Sequence, residues 1–394
     1  MKSFLVFLPG SFSKSKQLKP PFTAYIGLGS NQGNRLENLQ KAIDLIFEKV
    51  GFVLEISKIY ETPSLGFEGF DFLNACISVK TRFQAEKVLQ KLLEIEKILG
   101  RKRTSNNYEN RIIDLDLLFY ENLQHQSSSL TLPHPRLTER KFVLQPLSDI
   151  APDFIHPVFK KSIKNLLKET TDYSTITSFP ESLKTPEISF NALSYLVLEG
   201  NIGAGKTSLA HLISQDFNAK LITERFKDNP FLPKFYKNKS RYAFPLEMSF
   251  LADRYQQLVE DIAQYDLFND FIVADYDFYK SQIFAGITLA EDEFSLYKKL
   301  FGIMYKDIPK PDLYIYLYQN TERLLQNIKK RGRSYEQNIA PEYLESIHKG
   351  YINFIKSQNH LKVKLIDVTE LDFINNREDY LFLIREIFKP YKKE

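Results

Sequence analysis

Tryptophan is absent from this chain of 394 residues, and cysteine occurs once, at Cys76. One thiol excludes a disulfide framework. Its place in the apolar run 72–79 reads as a buried thiol in a protein of a reducing compartment. An excess of either charge is also missing: 53 Lys and Arg face 49 Asp and Glu, a formal net charge of +4 with 26% charged residues. So balanced a chain does not imply nucleic acid as a partner, whereas phosphate-bearing small molecules remain compatible. No apolar run approaches the roughly 18 residues of a membrane helix, so no membrane partner is expected, and no internal repeat is visible. The opening MKSFLVFLPG faintly resembles a signal peptide, but its apolar core is too short and no small-x-small cleavage site follows. Residues 1–22 are read as a disordered leader, and a cytoplasmic protein is expected. The length points to two or three domains, each large enough for its own core.

What is present is most informative at the midpoint. Residues 199–207 read EGNIGAGKT, after the apolar run Leu196, Val197, Leu198 and before a helix-like stretch. This completes G-x-x-x-x-G-K-[ST] in the strand-loop-helix setting that a phosphate loop requires. Gly200, Gly203 and Gly205 permit a tight turn whose backbone N–H groups face phosphate oxygens. Lys206 brings a charge to the β- and γ-phosphates, and the Thr207 hydroxyl is a ligand for Mg²⁺.

Before it, the pattern of apolar residues predicts strands over 23–28, 52–60, 74–81 and 111–120, with helices over 36–50 and 84–99. This β-α-β-β-α-β order predicts a ferredoxin-like α+β sandwich over 23–168, an antiparallel sheet with helices on one face. Residues 169–191, rich in Thr, Ser and Pro, read as a linker. From 192 to 394, apolar strands at 271–274 and 313–318 and long helical stretches predict an α/β domain, a parallel sheet wrapped by helices.

In RIIDLDLLF the strand period of two puts Asp114 and Asp116 on one face, roughly 7 Å apart. Carboxylates so placed can hold Mg²⁺ against a triphosphate. An isolated D-x-D would read as a solvated strand face. Here Arg101, Arg103, Arg111, His134 and Arg140 surround it in sequence, and cations massed beside two acids are costly unless a polyanion and metals join them.

With these residues on the page, 23–168 resembles 6-hydroxymethyl-7,8-dihydropterin pyrophosphokinase, which transfers a pyrophosphoryl group from ATP to the pterin hydroxymethyl in folate biosynthesis. The matching segments are GLGSN (27–31), YETPSLG (60–66), FLN (72–74), Glu96 with Gly100, Arg101 and Arg103, RIIDLD (111–116), and PHPR through RKF (133–142). The resemblance implies two Mg²⁺ ions on Asp114 and Asp116, and ATP phosphates on Arg101, Arg103, Arg111, His134 and Arg140, with Glu96 supporting the site. It implies a pterin pocket of Thr62, Pro63, Leu65, Phe72, Asn74 and Phe142. A flat heteroaromatic ring suits aromatic faces and a few edge hydrogen bonds. The family often has a tryptophan in its catalytic loop, where this chain offers Tyr108, and Asn107 stands where an arginine is common.

Past the phosphate loop, Glu224, the run NPFLPKFY (229–236) and the basic segment KKRGRSYE (329–336) resemble the deoxynucleoside kinases, which phosphorylate a 5′-hydroxyl. The resemblance implies Glu224 as general base, Tyr236 and Glu336 on the sugar 3′-hydroxyl, and Arg331 and Arg333 in a lid over the transferring phosphoryl. Where the family has an acid-Arg-Ser triplet this chain has Asp275-Tyr276-Asp277, so the arginine is lost. Lys280, four residues after Tyr276 and expected on the same helix face, is a candidate to restore the charge. Glu247 stands where a glutamine usually reads the base, with Arg254 two helical turns on and placed to donate to guanine O6 and N7. An ionised carboxylate only accepts hydrogen bonds, which favours deoxyguanosine; a Glu247–Arg254 pair is the alternative use of both residues. A homodimer through the second domain is expected from the same resemblance. The reading is thus a bifunctional ATP- and Mg²⁺-dependent enzyme with small-molecule substrates. A pterin pyrophosphokinase carrying a non-catalytic nucleotide-binding or dimerising domain is the alternative.

Overall fold

The computed structural model describes residues 21–64, 69–101, 110–186, 188, 193–225, 229–263, 269–333, 336–358 and 361–389. Most of the leader, together with Leu65, Arg103, Asn107 and Tyr108, therefore lies outside the described residues. The chain divides into two compact units, the first running to Ile188 and the second onward from there. Among the described residues no helix is long and apolar enough to cross a membrane.

The first unit runs β1 (Phe22–Ser30), α1 (Arg35–Lys49), β2 (Phe52–Ile56), β3 (Tyr60–Thr62), β4 (Phe72–Thr81), α2 (Ala85–Ile98) and β5 (Asp114–Tyr120). A small hairpin of β6 (His125–Gln126) and β7 (Thr131–Leu132) follows, then α3 (Lys141–Ile150), α4 (Ile163–Glu169) and β8 (Thr177–Ser178). The sheet order is β5-β1-β4-β3-β8, with β2 also paired to β4. The pairings are antiparallel. Helix α1 begins where the Asn34 side chain accepts from Glu37 N, and it buries Leu39, Ile43 and Ile46 at helical spacing. α1 and α2 pack together and against the sheet.

Three expectations change in detail. The run 52–60 is two strands, because Ser57 takes its place against Cys76: Ser57 N donates to Cys76 O (2.9 Å) and Ser57 Oγ accepts from Cys76 N (2.9 Å). The sheet is covered on its second face too, where Cys76 and Leu118 pack with Val143, Leu144 and Leu147 of α3 and with Ile163 and Leu166 of α4. Residues 169–191 are not simply a linker. β8 pairs with β3 through Ser178 and Thr177, Asp172 accepts from Lys141 N at 2.8 Å, and Lys184 N donates to Gln40 Oε1 at 2.9 Å. A polar segment adds to a sheet edge through its backbone, which composition does not reveal.

The second unit contains β9 (Tyr195–Gly200), α5 (Lys206–Asp216), β10 (Lys220–Ile222), α6 (Leu232–Lys237), α7 (Lys239–Ala263), β11 (Ile272–Ala274), α8 (Tyr279–Thr288) and α9 (Glu291–Met304). It closes with β12 (Leu313–Tyr318), α10 (Thr321–Arg331), α11 (Pro341–Ser357), β13 (Val363–Asp367) and α12 (Arg377–Phe388). All five strands are parallel, in the order β10-β11-β9-β12-β13. β9 is buried throughout, as is β12 up to its last residue, as a sheet covered on both faces requires. β9 is central, and the chain crosses to opposite sides from it, so the loop at its carboxyl end lies at the switch point where such sheets bind ligands.

Candidate active sites

In the first unit Asp114 and Asp116 lie opposite Gly29 and Gly27 of β1, one face of the strand, as its period demands. Asp114 is gripped from both sides: Arg101 Nη1 donates to Oδ1 at 2.5 Å and Arg111 Nη1 to Oδ2 at 2.6 Å. Arg101 is also tied to buried Glu96, whose Oε1 accepts from Leu115 N at 2.9 Å, so α2 sets the guanidinium by holding it to β5. Burial, and then the charge of Asp114, push Asp116 up to about 6 against the pull of Arg140, Arg101 and Arg111. His134 is lowered to about 4 by burial and by Arg140, so near neutral pH it is an uncharged hydrogen-bonding imidazole.

The proposed pterin side lies along β4 and its neighbours. Asn74 Nδ2 donates to Thr62 Oγ1 at 2.8 Å, and half-buried Phe72 begins the same strand. A Cβ at Gly29 would stand 3.3 Å from Asn74 Oδ1 and 3.7 Å from Phe72 Cδ1, so glycine keeps that space open. Phe142 lies in the first turn of α3, with the Arg140 guanidinium 5.6 Å from its ring centroid. Pro63 is exposed. Asn31 is a further positioning residue that the sequence reading passed over. Its Nδ2 donates to Phe70 O (3.1 Å) and Asn110 Oδ1 (2.7 Å), and its Oδ1 accepts from Arg111 N (2.7 Å). A fully buried asparagine at the end of β1 thus ties together the two segments carrying Phe70 and Arg111. It also ends the pairing early: the expected strand from 111 begins at Asp114 because Arg111's backbone is committed to Asn31.

In the second unit Gly200 and Gly205 must be glycine. A Cβ at Gly200 would sit 2.6 Å from Leu317 O, and Gly205 caps α5 at φ +86. Gly203 is also left-handed, at φ +87. Lys206 Nζ donates to Gly200 O (2.8 Å) and Asn201 O (2.9 Å), bent back over its own loop. Burial and the charge of Lys280 lower it to about 8. Thr207 Oγ1 donates to Asp275, whose other oxygen accepts from Glu224 N at 2.8 Å.

Glu224 is held by two cations. Arg254 donates from Nε (3.0 Å) and Nη2 (2.6 Å) to Oε1, and Lys280 Nζ donates to Oε2 at 2.7 Å. Burial alone would raise this carboxyl, but Lys280 and Arg254 hold it well below the usual range. Arg254 is fixed in turn by Ser281 Oγ at 2.7 Å and by the Phe250 ring at 4.7 Å. The alternative Glu247–Arg254 pair is therefore not formed, and Arg254, expected to donate to the base, is committed to Glu224 and Ser281. Glu247 Oε1 accepts from Thr288 Oγ1 at 2.9 Å, and Oε2 has no hydrogen-bond partner among the described residues. Burial pushes Glu247 up to about 7, with Arg254 opposing. Buried Glu336 accepts from Arg331 and, at 3.1 Å, from Arg333. One cavity brings together Lys206, Thr207, Glu224, Tyr236, Glu247 and Arg254 with Arg331, Arg333, Glu336 and, beyond the sequence reading, Tyr343.

Tyr276 and Lys280 do not share a helix face. α8 starts only at Tyr279, whose N–H is capped by Asp277 Oδ1 at 2.8 Å, and Tyr276 is wholly buried. Lys280 reaches Glu224 from the first turn of α8. Asp275, the acid kept from the family's triplet, belongs with the site: it follows β11 directly and accepts from Thr207 of the phosphate loop.

Among the described residues no three His, Cys, Asp or Glu form a ready-made metal cage. Paired carboxylates on β5, and a hydroxyl with one carboxylate at Thr207 and Asp275, still fit Mg²⁺, which binds through one or two carboxylates plus phosphate and water.

Two phosphate-transfer sites, one on an antiparallel α+β sheet and one on a phosphate-loop parallel sheet, define a chain of two transferase domains. The model of the 7,8-dihydro-6-hydroxymethylpterin-pyrophosphokinase family matches residues 25–152, and that of the deoxynucleoside kinase family matches residues 196–390. The chain is 39% identical over 194 residues to deoxyguanosine kinase of Bacillus subtilis (strain 168), covering 48% of this chain and 94% of that protein. It is 37% identical over 150 residues to 2-amino-4-hydroxy-6-hydroxymethyldihydropteridine pyrophosphokinase of Aquifex aeolicus (strain VF5), covering 38% of this chain and 92% of that one. With folic acid synthesis protein fol1 of Pneumocystis carinii it shares 37% identity over 196 residues, 26% of that longer protein. The chain belongs to both families, a pterin pyrophosphokinase domain followed by a deoxynucleoside kinase domain. Membership of the two families implies use of ATP with Mg²⁺.

Proposed function

We propose that the first unit transfers pyrophosphoryl from ATP to 6-hydroxymethyl-7,8-dihydropterin and that the second phosphorylates the 5′-hydroxyl of a deoxynucleoside, deoxyguanosine before deoxyadenosine. In the first, Asp114 and Asp116 would hold Mg²⁺, Arg101, Arg111 and Arg140 would receive the phosphates, and Asn74 and Thr62 would meet the pterin edge between Phe72 and Phe142. In the second, Thr207 and Asp275 would hold Mg²⁺, Lys206 would hold the donor phosphates, and Glu224 would take the hydroxyl proton. When bound, Mg²⁺ supplies neutralisation of phosphate charge. Lys280 on Glu224 supplies the cation that the missing arginine leaves wanting, which supports a catalytic second domain. An assay of the full chain with labelled ATP, the pterin and each of four deoxynucleosides tests both halves; no labelled product from a unit overturns the reading for that unit.

The observation that carries the guanine reading is the unpartnered, buried Glu247 Oε2. Guanine's pairing edge offers adjacent N1–H and N2–H₂ donors, which match two carboxylate oxygens. Adenine sets an acceptor nitrogen beside its N6–H₂, and cytosine has the same pattern, so both oppose an ionised carboxylate. The similarity to a deoxyguanosine kinase supports the same choice. Because Glu247 is raised to about 7, lowering the pH protonates it, and a protonated carboxyl donates one hydrogen bond as adenine requires. The ratio of kcat/KM for deoxyguanosine over deoxyadenosine should therefore rise between about pH 6 and 8. Hydrogen bonds to a charged group contribute about 1.5–3 kcal/mol, so Glu247→Gln should cut that ratio roughly tenfold or more and flatten its pH dependence. A wild-type preference for thymidine or deoxycytidine, or a variant with an unchanged ratio, would overturn the assignment.

We also infer a homodimer through the second unit, from the habit of its family. Light scattering should give twice the chain mass for the full chain, and a monomer at working concentration counts against it.

A further inference from the structure

We propose that Lys280 is a two-position cation. In nucleotide-free protein it clamps Glu224 Oε2; the γ-phosphoryl of ATP draws it away, and the freed oxygen then receives the 5′-hydroxyl of the acceptor. The inference rests on the kinase reading of the second unit and adds to it an order in which the base becomes available.

Both oxygens of Glu224 are engaged, but unequally. Oε1 is held by Arg254 through two nitrogens, at 3.0 and 2.6 Å, and Arg254 is itself anchored on Ser281 Oγ at 2.7 Å. That contact is a planar fork locked by its own neighbours. Oε2 is held by a single atom, Lys280 Nζ, at 2.7 Å. An ammonium on a four-carbon stem can change partners by rotating its side chain, without moving the backbone of α8. A hydroxyl nucleophile approaching Glu224 in this state meets two oxygens that already accept from cations, whose charge weakens them as proton acceptors, so proton transfer is favoured once one contact opens, and the lysine is the one that can.

The destination is in the same cavity. Lys280 and Lys206 both line it, as do Thr207 and Asp275. Lys206 Nζ rests on two backbone carbonyls rather than on a carboxylate. Both ammonium groups face one cavity, Lys280 paired with Glu224 and Lys206 with carbonyls alone, and a phosphoryl group placed between them attracts both. With Lys280 moved onto that group, the O5′–P bond forms as the bond from phosphorus to the ADP oxygen breaks. The electron pair leaves on ADP, and the hydroxyl proton passes to Glu224 Oε2. The same lysine thus masks the base without ATP and neutralises phosphoryl charge with it.

The test uses the full chain. Turnover of a deoxynucleoside by the wild type comes first; its absence defeats the kinase reading and leaves the clamp without a reaction. Given turnover, deoxyguanosine affinity is measured by calorimetry with and without a non-hydrolysable ATP analogue. The wild type should bind the nucleoside at least fivefold more tightly with the analogue present, a measurement that needs no variant. Lys280→Met should bind the nucleoside without the analogue at least as tightly as wild type, show no such gain, and lose tenfold or more in kcat with KM unchanged or lower. Lys280→Arg should recover most of kcat. Equal affinity of the wild type in both conditions, a coupling that survives in Lys280→Met, or a kcat within threefold of wild type in that variant would overturn the proposal.

Discussion

Asp116→Asn or Asp114→Ala is expected to reduce pyrophosphoryl transfer below a few per cent of the wild-type rate while leaving the nucleoside reaction nearly intact. The two carboxylates are the acids that the β5 face presents between Arg101, Arg111 and Arg140. Asp114 already carries two arginines, at 2.5 and 2.6 Å, so its removal also leaves those guanidinium groups without their shared partner. The three side chains are half-buried, so the cost stays below the about 3–5 kcal/mol of a buried pair, and part of any loss in Asp114→Ala will be displacement of Arg101 and Arg111. Asp116 separates the causes. No salt bridge to Asp116 is found among the described residues, and burial beside Asp114 holds it at about 6. Asparagine keeps its shape and removes only the charge that a metal–phosphate complex would use. Each unit has its own core, so both rates can be read on one preparation, with the nucleoside reaction as the control for intact protein. A rate above a few per cent in either variant would remove the assignment of both acids to metal.

The parts of this molecule that its sequence disclosed are those whose meaning is local. The phosphate loop is nine consecutive residues with steric demands at fixed glycines, and β12 occupies the expected six residues, 313–318. The Asp114–Asp116 face follows from the strand period alone. What escaped was set by contacts between distant residues. Glu224 and Arg254 are separated by 30 positions, and Glu224 and Lys280 by 56; nothing in the spacing says that the arginine holds the base rather than Glu247. The helix holding Lys280 begins later than a shared face with Tyr276 requires, because Asp277 accepts from Tyr279 N and the chain becomes helical only there. β8 escaped because edge pairing is a backbone interaction open to any Thr or Ser. Asn31 was visible as a residue, but its four hydrogen bonds to the backbone and side chains at 70, 110 and 111 exist only in the fold.

The nucleoside reaction should fall by about 10²–10⁴ in kcat when Glu224 is replaced by glutamine, the range that a positioned general base contributes. Glutamine preserves the length of the side chain and can still accept at one atom. It cannot take the hydroxyl proton, and its NH₂ must face either Lys280 or Arg254 as a donor against a donor. The variant therefore loses stability as well as rate, since two buried cations are left with one neutral acceptor, and its unfolding midpoint should drop. These two losses are distinguishable. A destabilised but folded site would lower the fraction of active protein, which titration with a bound ATP analogue corrects. A missing base lowers kcat per active site, with KM for ATP unchanged or lower, because the proposed phosphate ligands Lys206 and Thr207 remain and Lys280 is no longer held by a carboxylate. The pterin reaction of the same preparation should stay at its wild-type rate. A corrected kcat within tenfold of wild type would mean that Glu224 is only an anchor for Arg254 and Lys280, and that the hydroxyl proton leaves by another route.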